Sequence, residues 1–216
     1  MNYIKLFETH SMPLKLYHGS FQKFDKFDFE KLSKSGSQTT YGVGIYLTDS
    51  KSYAISYING ENGEVNTGGN LYEVTLKPNP NFLIFGENIN GKIRYSKIDS
   101  VNLNRIKYKL KKDNIELLDI NGEPTGLSEN DLAWNVYTKI QNHILENVFD
   151  IKQRFKYGDF YSKKKTSEFL ASCGIDGMKY PLGYSKFKSS TDYGHEGYGY
   201  VIYRDIFKNL DIISQS

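Results

Sequence analysis

His18, Gly19 and Ser20 in the stretch "YHGS", with Tyr46 and Tyr57 in "GVGIYLTDSKSYAISY", are the residues whose types and spacing could do chemistry together. Taken singly they are ordinary. A histidine beside a short apolar run is most often a packed structural residue, and lone tyrosines are ordinary core aromatics in a chain with 18 Tyr and 13 Phe. Other chemistries find less support. His10, His18, His143 and His195 are scattered, and no pair has the close spacing of a zinc helix or loop, so no metal site is expected. Cys173 is the only cysteine, which rules out an internal disulfide and a thiolate cluster; in "FLASCG" it reads as a buried, inert thiol. The "GVG" at Gly42–Gly44 lacks the third glycine of a dinucleotide fingerprint, and no "GxSxG" elbow fixes a serine nucleophile.

The elements that must position these residues can be read from pattern. A short apolar run leads into "YHGS", and Phe21, Phe24 and Phe27 then recur at intervals of three, giving that stretch one apolar face. A brief strand is expected at Ile45–Leu47. Thr48, Asp49 and Ser50 are N-cap candidates for a helix with Tyr53, Ala54, Tyr57 and Ile58 on one side. "NLYEVTLKPNP" alternates Tyr72, Val74 and Leu76 with Glu73 and Thr75, as a half-buried strand does, and stops at Pro78. Residues 84–160 are polar and read as an elaboration. A hairpin-like pair of segments is expected there around "KKDN" and "NGEP", with a helix from near Ser128, where Ser128 and Asp131 are placed for a capping box. "KKKTSEFLASCG" reads as a helix ending on Gly174, followed by "IDGMKY", a glycine-rich loop and "YVIYRDIF" as closing strands. Without regular β-α-β alternation, the fold class is α+β with mostly antiparallel strands. Residues 1–13 read as an N-terminal extension and 14–216 as a single domain.

In combination, "LYHGS", "GVGIYLTDSKSYAISY", "LYEVTL" and "YVIYRD" resemble the ADP-ribosyltransferases of the histidine-tyrosine-glutamate class, shared by poly-ADP-ribose polymerases and diphtheria-type toxins. The nearest likeness is to small bacterial and phage-associated members. "GIDGMKY" resembles their late helix-to-strand junction, and the likeness covers residues 14–76 and 165–213. It implies a split antiparallel sheet with flanking helices and NAD as substrate. Tyr46 and Tyr57 match the positions that stack on nicotinamide, whose pyridinium cation suits aromatic faces. Gly19 matches the residue whose backbone N–H and C=O read the carboxamide, Ser20 completes that binding motif, and His18 matches the residue that holds the adenosine ribose. His18 and Tyr46 are thereby also counted with the catalytic set.

The chain departs from the family's pattern twice. As nicotinamide leaves, positive charge develops on the ribose, and the family places a glutamate there. Aligning "YVIY" with the last strand puts Gly199 at that site. Glu196 is the nearest acid, but three residues along a strand is roughly 10 Å and reverses the face, so it serves only if "HEGYGY" bulges or folds back; otherwise it is a solvated loop carboxylate. Ala54 stands where polymerase relatives commonly have a serine on the carboxamide, with Ser52 or Ser56 as replacements, or Gly19 alone.

Overall the chain has 216 residues, 38% apolar and 25% charged, with formal charge +3, which does not by itself point to nucleic acid. The distribution is uneven, however. Lys92, Arg94, Lys97, Arg105, Lys107, Lys109, Lys111 and Lys112 face Asp99 alone between 92 and 112, a local +7. That stretch is either a solvated face or a surface for an acidic or nucleic-acid partner. No apolar run long enough for a membrane span and no signal-peptide core is present, so a cytoplasmic protein is expected, in host cytoplasm if it is a phage or toxin effector. The expected activity is mono-ADP-ribosyl transfer from NAD to a protein or nucleic acid. The alternatives are a non-catalytic NAD or ADP-ribose-binding module and an NAD glycohydrolase.

Overall fold

A computed structural model describes residues 13–31, 40–59, 69–90, 92–119, 121–147, 151–182 and 197–214. In chain order the elements are β1 (Lys15–Ser20), β2 (Ile45–Thr48), α1 (Lys51–Asn59), β3 (Asn70–Leu76), β4 (Phe82–Ile84), β5 (Gly86–Ile89), β6 (Lys92–Tyr95), α2 (Ser100–Lys112), α3 (Ala133–Asn147), α4 (Ile151–Ser172), β7 (Gly177–Pro181), β8 (Tyr198–Ile202) and β9 (Phe207–Ser214). Seven strands form one sheet in the order β4-β7-β8-β2-β1-β3-β9, and β5 and β6 form a separate hairpin. All pairings are antiparallel except β4 with β7. The class is α+β, as expected.

Strand alternation divides the interior in two. On one face Leu16, Ile45, Leu47, Tyr72, Val74, Tyr200 and Ile202 cluster under Phe24, Phe27 and Phe207. On the other, Val201 and Met178 join Leu103 and Ile106 of α2, Val136 and Ile140 of α3, and Leu170 of α4. Beside that core α1 lays Ala54 and Ile58 on Leu71. The polar middle of the sequence therefore supplies two helices to the larger core.

Several expectations need correcting. "KKDN" is the end of α2, a helix whose basic residues disguise the apolar spacing of Leu103, Ile106 and Leu110. Around "NGEP" the expectation holds, since Leu118 bridges Pro124 antiparallel and the Thr125 N–H donates to the Leu117 carbonyl at 2.7 Å; a further hairpin is β5–β6, where Asn90 has the φ of 52° that an Asn-Gly pair favours. α3 starts at Ala133; Ser128 and Asp131 instead make a turn ahead of it, in which the Ser128 N–H donates to Asp131 Oδ2 at 2.9 Å. Three strands close the chain rather than two, because β9 returns along β3. Of the phenylalanines spaced by three, Phe24 stacks on Tyr72 at 4.2 Å and Phe27 packs on the same cluster, whereas Phe21 is exposed. The predicted ending on Gly174 holds: the Ile175 N–H donates to the Leu170 carbonyl and the Gly174 N–H to that of Ala171.

The buried Tyr137 hydroxyl has no hydrogen-bond partner among the described residues, while its ring stacks on Trp134 at 5.6 Å. Tyr137→Phe keeps the ring and removes a desolvated O–H, so it is expected to stabilise by about 1 kcal/mol. A thermal melt should show Tm rising by roughly 2–4 °C. A fall would show that the hydroxyl is satisfied.

Candidate functional site

The site follows from where β1 and β2 separate. The two strands share a single register position, Tyr17 with Thr48, although β1 runs on to Ser20 and stays paired with β3 over its whole length. The Leu76 N–H bonds to the Leu14 carbonyl, so by antiparallel alternation Leu14, Leu16, His18 and Ser20 turn their backbone groups to β3, while Lys15, Tyr17 and Gly19 turn theirs to β2. The Asp49 N–H bonds to Tyr198 O on the β8 side, and the same alternation turns Thr48 and Tyr46 toward β1. Past Tyr17 the Gly19 and Tyr46 amide groups thus face each other across a gap in the ladder. A flat carboxamide needs such a pair of free donor and acceptor groups on Gly19.

His18 spans that gap from the other face. Its Nδ1 lies 2.8 Å from the Tyr46 carbonyl oxygen; a carbonyl only accepts, so Nδ1 bears the proton and donates. The ring packs against Phe27 edge-on at 5.4 Å, with Phe24 and Tyr72 also in ring contact. Loss of solvent lowers the His18 pKa below its ordinary 6.5, against the opposing effect of the Tyr46 bond. At neutral pH the imidazole is therefore neutral, and Nε2 offers a lone pair to a hydroxyl.

An unfolded His18 takes up a proton near pH 6.5, and the folded one only at lower pH. The stability it contributes is complete above pH 6.5 and is lost as pH falls through the lowered value. Thermal melts on either side of pH 6.5 should show the wild type losing more Tm on acidification than His18→Asn. Parallel losses would refute this.

Tyr46 presents only its ring. Its hydroxyl donates to Gly42 O at 2.9 Å and accepts from the Tyr41 N–H at 3.1 Å, and burial raises its pKa. Tyr57 comes from α1, which Ser50 caps by accepting from the Tyr53 N–H at 3.3 Å. It is 57% exposed, with its hydroxyl 3.1 Å from that of Tyr53. Tyr57 lies near enough to Tyr46 to add to the rise in its pKa. Ala54 lies in α1 with its carbonyl over Gly19; Ser56 Oγ donates to Tyr53 O at 2.7 Å and Ser52 Oγ meets Ser50 Oγ at 3.1 Å, so both serines are engaged within the helix. Ser20 Oγ accepts from the Gln22 N–H at 3.1 Å as the chain leaves β1.

Glu196 lies outside the described residues. Where the described chain resumes, Gly197 has φ +122°, and the Tyr198 N–H donates to Asp49 Oδ1 at 2.6 Å. Gly199 pairs with Thr48 on one side and Tyr180 on the other, sharing the face of Tyr46. The phenol of Tyr180 fills the space in front of it: a Cβ on Gly199 would stand 2.5 Å from the Tyr180 hydroxyl oxygen. Sequence reading missed this residue. "GMKY" marks it only as part of a strand, and its partner lies beyond a long glycine-containing loop.

Among the described residues no three His, Cys, Asp or Glu side chains gather to hold a metal, and no helix is long and apolar enough to cross a membrane. Burial pushes the Cys173 thiol up to about 11. The basic stretch runs from β6 through Lys97, which bridges Leu132, into α2. Lys109 pairs with Asp113 at 2.8 Å, Arg105 donates to Gly174 O at 3.0 Å and Lys97 to Asn130 at 3.0 Å, and Lys109, Lys111 and Lys112 offset the negative end of α2.

A family model described as ADP-ribosyltransferase in polyvalent proteins matches residues 8–188. Searches of curated proteins and of solved structures gave no match.

Proposed function

Because the chain belongs to the family of ADP-ribosyltransferases in polyvalent proteins, we propose that it is an NAD-dependent mono-ADP-ribosyltransferase acting on a protein or nucleic acid in the cytoplasm, its own or a host's, through a domain that begins near residue 14. The observation that carries this reading is the parting of β1 from β2 after Tyr17, which leaves the Gly19 amide groups facing a gap walled by Tyr46. Nicotinamide fits there with its carboxamide on Gly19 and its ring between Tyr46 and Tyr57, while the ribose hydroxyls of the adenosine half meet His18 Nε2. When the bond from ribose C1′ to the nicotinamide nitrogen breaks, its electron pair neutralises the pyridinium. The acceptor's nucleophilic atom then gives a pair to C1′ and loses its proton to water. With no carboxylate on Gly199 to activate a ribose hydroxyl, single transfer is favoured over chain growth.

The test is incubation with adenylate-labelled NAD and cell lysate, following nicotinamide release and label transfer together. Tyr46→Ala and His18→Ala should each lower label transfer roughly tenfold or more. Label transfer that both variants leave unchanged would sink the site assignment. Nicotinamide release without labelling indicates a glycohydrolase, and NAD binding without release a binding module. If the acceptor docks on the β6–α2 basic surface, labelling weakens as salt rises.

A further inference from the structure

Resting on the transferase reading above, we infer that Tyr180 is the residue that meets the nicotinamide-side ribose of NAD, its hydroxyl taking the place of a carboxylate on β8. Three observations carry this. First, position 199 cannot bear a side chain beside Tyr180: the phenol ring and hydroxyl occupy the space a Cβ would need, so glycine there and tyrosine at 180 are two halves of one arrangement. Second, the register places Tyr180 opposite Gly199, Gly199 opposite Thr48, and Tyr46 two residues along the same strand on the same face. The phenol therefore lies on the same face as the ring proposed to stack on nicotinamide. Third, the neighbouring hydroxyls are committed: Tyr46 to Gly42 and Tyr41, Tyr203 to Tyr41 O, and Tyr53 and Tyr57 to each other. The Tyr180 hydroxyl has no partner among the described residues, and it is not among their sealed, unsatisfied atoms.

The environment also fixes what this group can do. Burial, reinforced by the neighbouring phenols of Tyr46, Tyr57, Tyr53 and Tyr41, holds its pKa well above the usual range, so it stays neutral. A neutral phenol exchanges a hydrogen bond with a ribose hydroxyl but supplies no counter-charge and removes no proton. As the C1′ bond breaks, the ribose hydroxyl becomes more acidic and its bond to the phenol oxygen strengthens, so the contribution falls on kcat more than on KM. Tyr180 also stacks on Tyr41 at 4.1 Å, which fixes the ring without using its oxygen.

The experiment compares wild type, Tyr180→Phe, Gly199→Glu and the double variant Tyr180→Ala/Gly199→Glu, measuring NAD binding by calorimetry, thermal melting, and kcat and KM for nicotinamide release. Tyr180→Phe should keep Tm and NAD affinity while lowering kcat about fivefold to tenfold. Gly199→Glu alone should lose NAD binding, because the new side chain and the Tyr180 ring compete for one space. Removing that ring should restore binding and raise kcat above wild type, with a new acid limb in the pH profile from the carboxylate. If wild type binds NAD and Tyr180→Phe leaves kcat unchanged, or if Gly199→Glu is tolerated without the second change, the proposal is wrong. If wild type neither binds NAD nor releases nicotinamide, the transferase reading falls, and this one with it.

Discussion

Gly19→Ala should unseat α1 and remove activity. A Cβ at position 19 would overlap the backbone carbonyl oxygen of Ala54 and stand 3.0 Å from Ile58 Cγ1. The obstacle is main chain within a helix, which cannot rotate away as a side-chain tip can, so α1 must move as a body. Overpacking of this kind costs about 1–3 kcal/mol, and a rigid obstacle puts it near the upper end. A melt should show Tm lowered by roughly 6–12 °C. The helix that moves carries Tyr57, and the strand that moves carries the amide groups facing the gap. A misplacement of about 1 Å is enough to cost on the order of 100-fold in rate, so nicotinamide release should fall by at least that much at temperatures where the variant is still folded. Normal Tm together with normal release would show that α1 is not seated on β1 as described.

The same residue shows how the sequence and the structure divide the explanation. "YHGS" reads from sequence as a glycine whose bare backbone can approach a ligand. The structure adds a second reason, the close approach of the α1 backbone to the same residue. β2, α1 and β3 were legible because their signals are local: a cap at Ser50, an apolar side on the helix, and strict alternation in "LYEVTL". α2 was not, because the charged residues between Leu103, Ile106 and Leu110 read as a basic segment, and Asn102, buried at 1% exposure, is there to hydrogen-bond rather than to pack. β9 was missed because its assignment rests on pairing with β3, a contact between distant parts of the chain. Gly199 was read as the loss of a glutamate. Its partner Tyr180 is specified by strand register, which no local pattern reveals.

Asp176 is the other position where a large effect is expected, and nothing in its local sequence singled it out. It is 5% exposed. Its carboxylate accepts from the Asn81 N–H at 2.7 Å and from Nε and Nη2 of Arg204, while its backbone N–H donates to Asn81 O and its carbonyl accepts from the Tyr203 N–H. Asn81 in turn donates to Asn102 at 2.9 Å and to Gly174 O at 2.8 Å, and Asn102 donates to Asp99, the cap of α2. One buried network thus ties the start of β7 to the entry of β4, the end of β8 and the first turn of α2. Asp176→Ala strands the Asn81 N–H and removes charged hydrogen bonds, and is expected to cost about 3 kcal/mol. The Arg204 side chain is 48% exposed and can rehydrate, whereas the Asp176 side chain, at 8%, cannot. Arg204→Met, which leaves the buried carboxylate without its cation, should therefore destabilise at least as much as Asp176→Asn. A melt in which Arg204→Met is harmless while Asp176→Asn is not would reverse this reasoning. The effect reaches the site as well: Asp176 sets where β7 begins against β8, and four residues on that register lays Tyr180 over Gly199. Both variants should therefore lower nicotinamide release by more than their loss of folded protein explains.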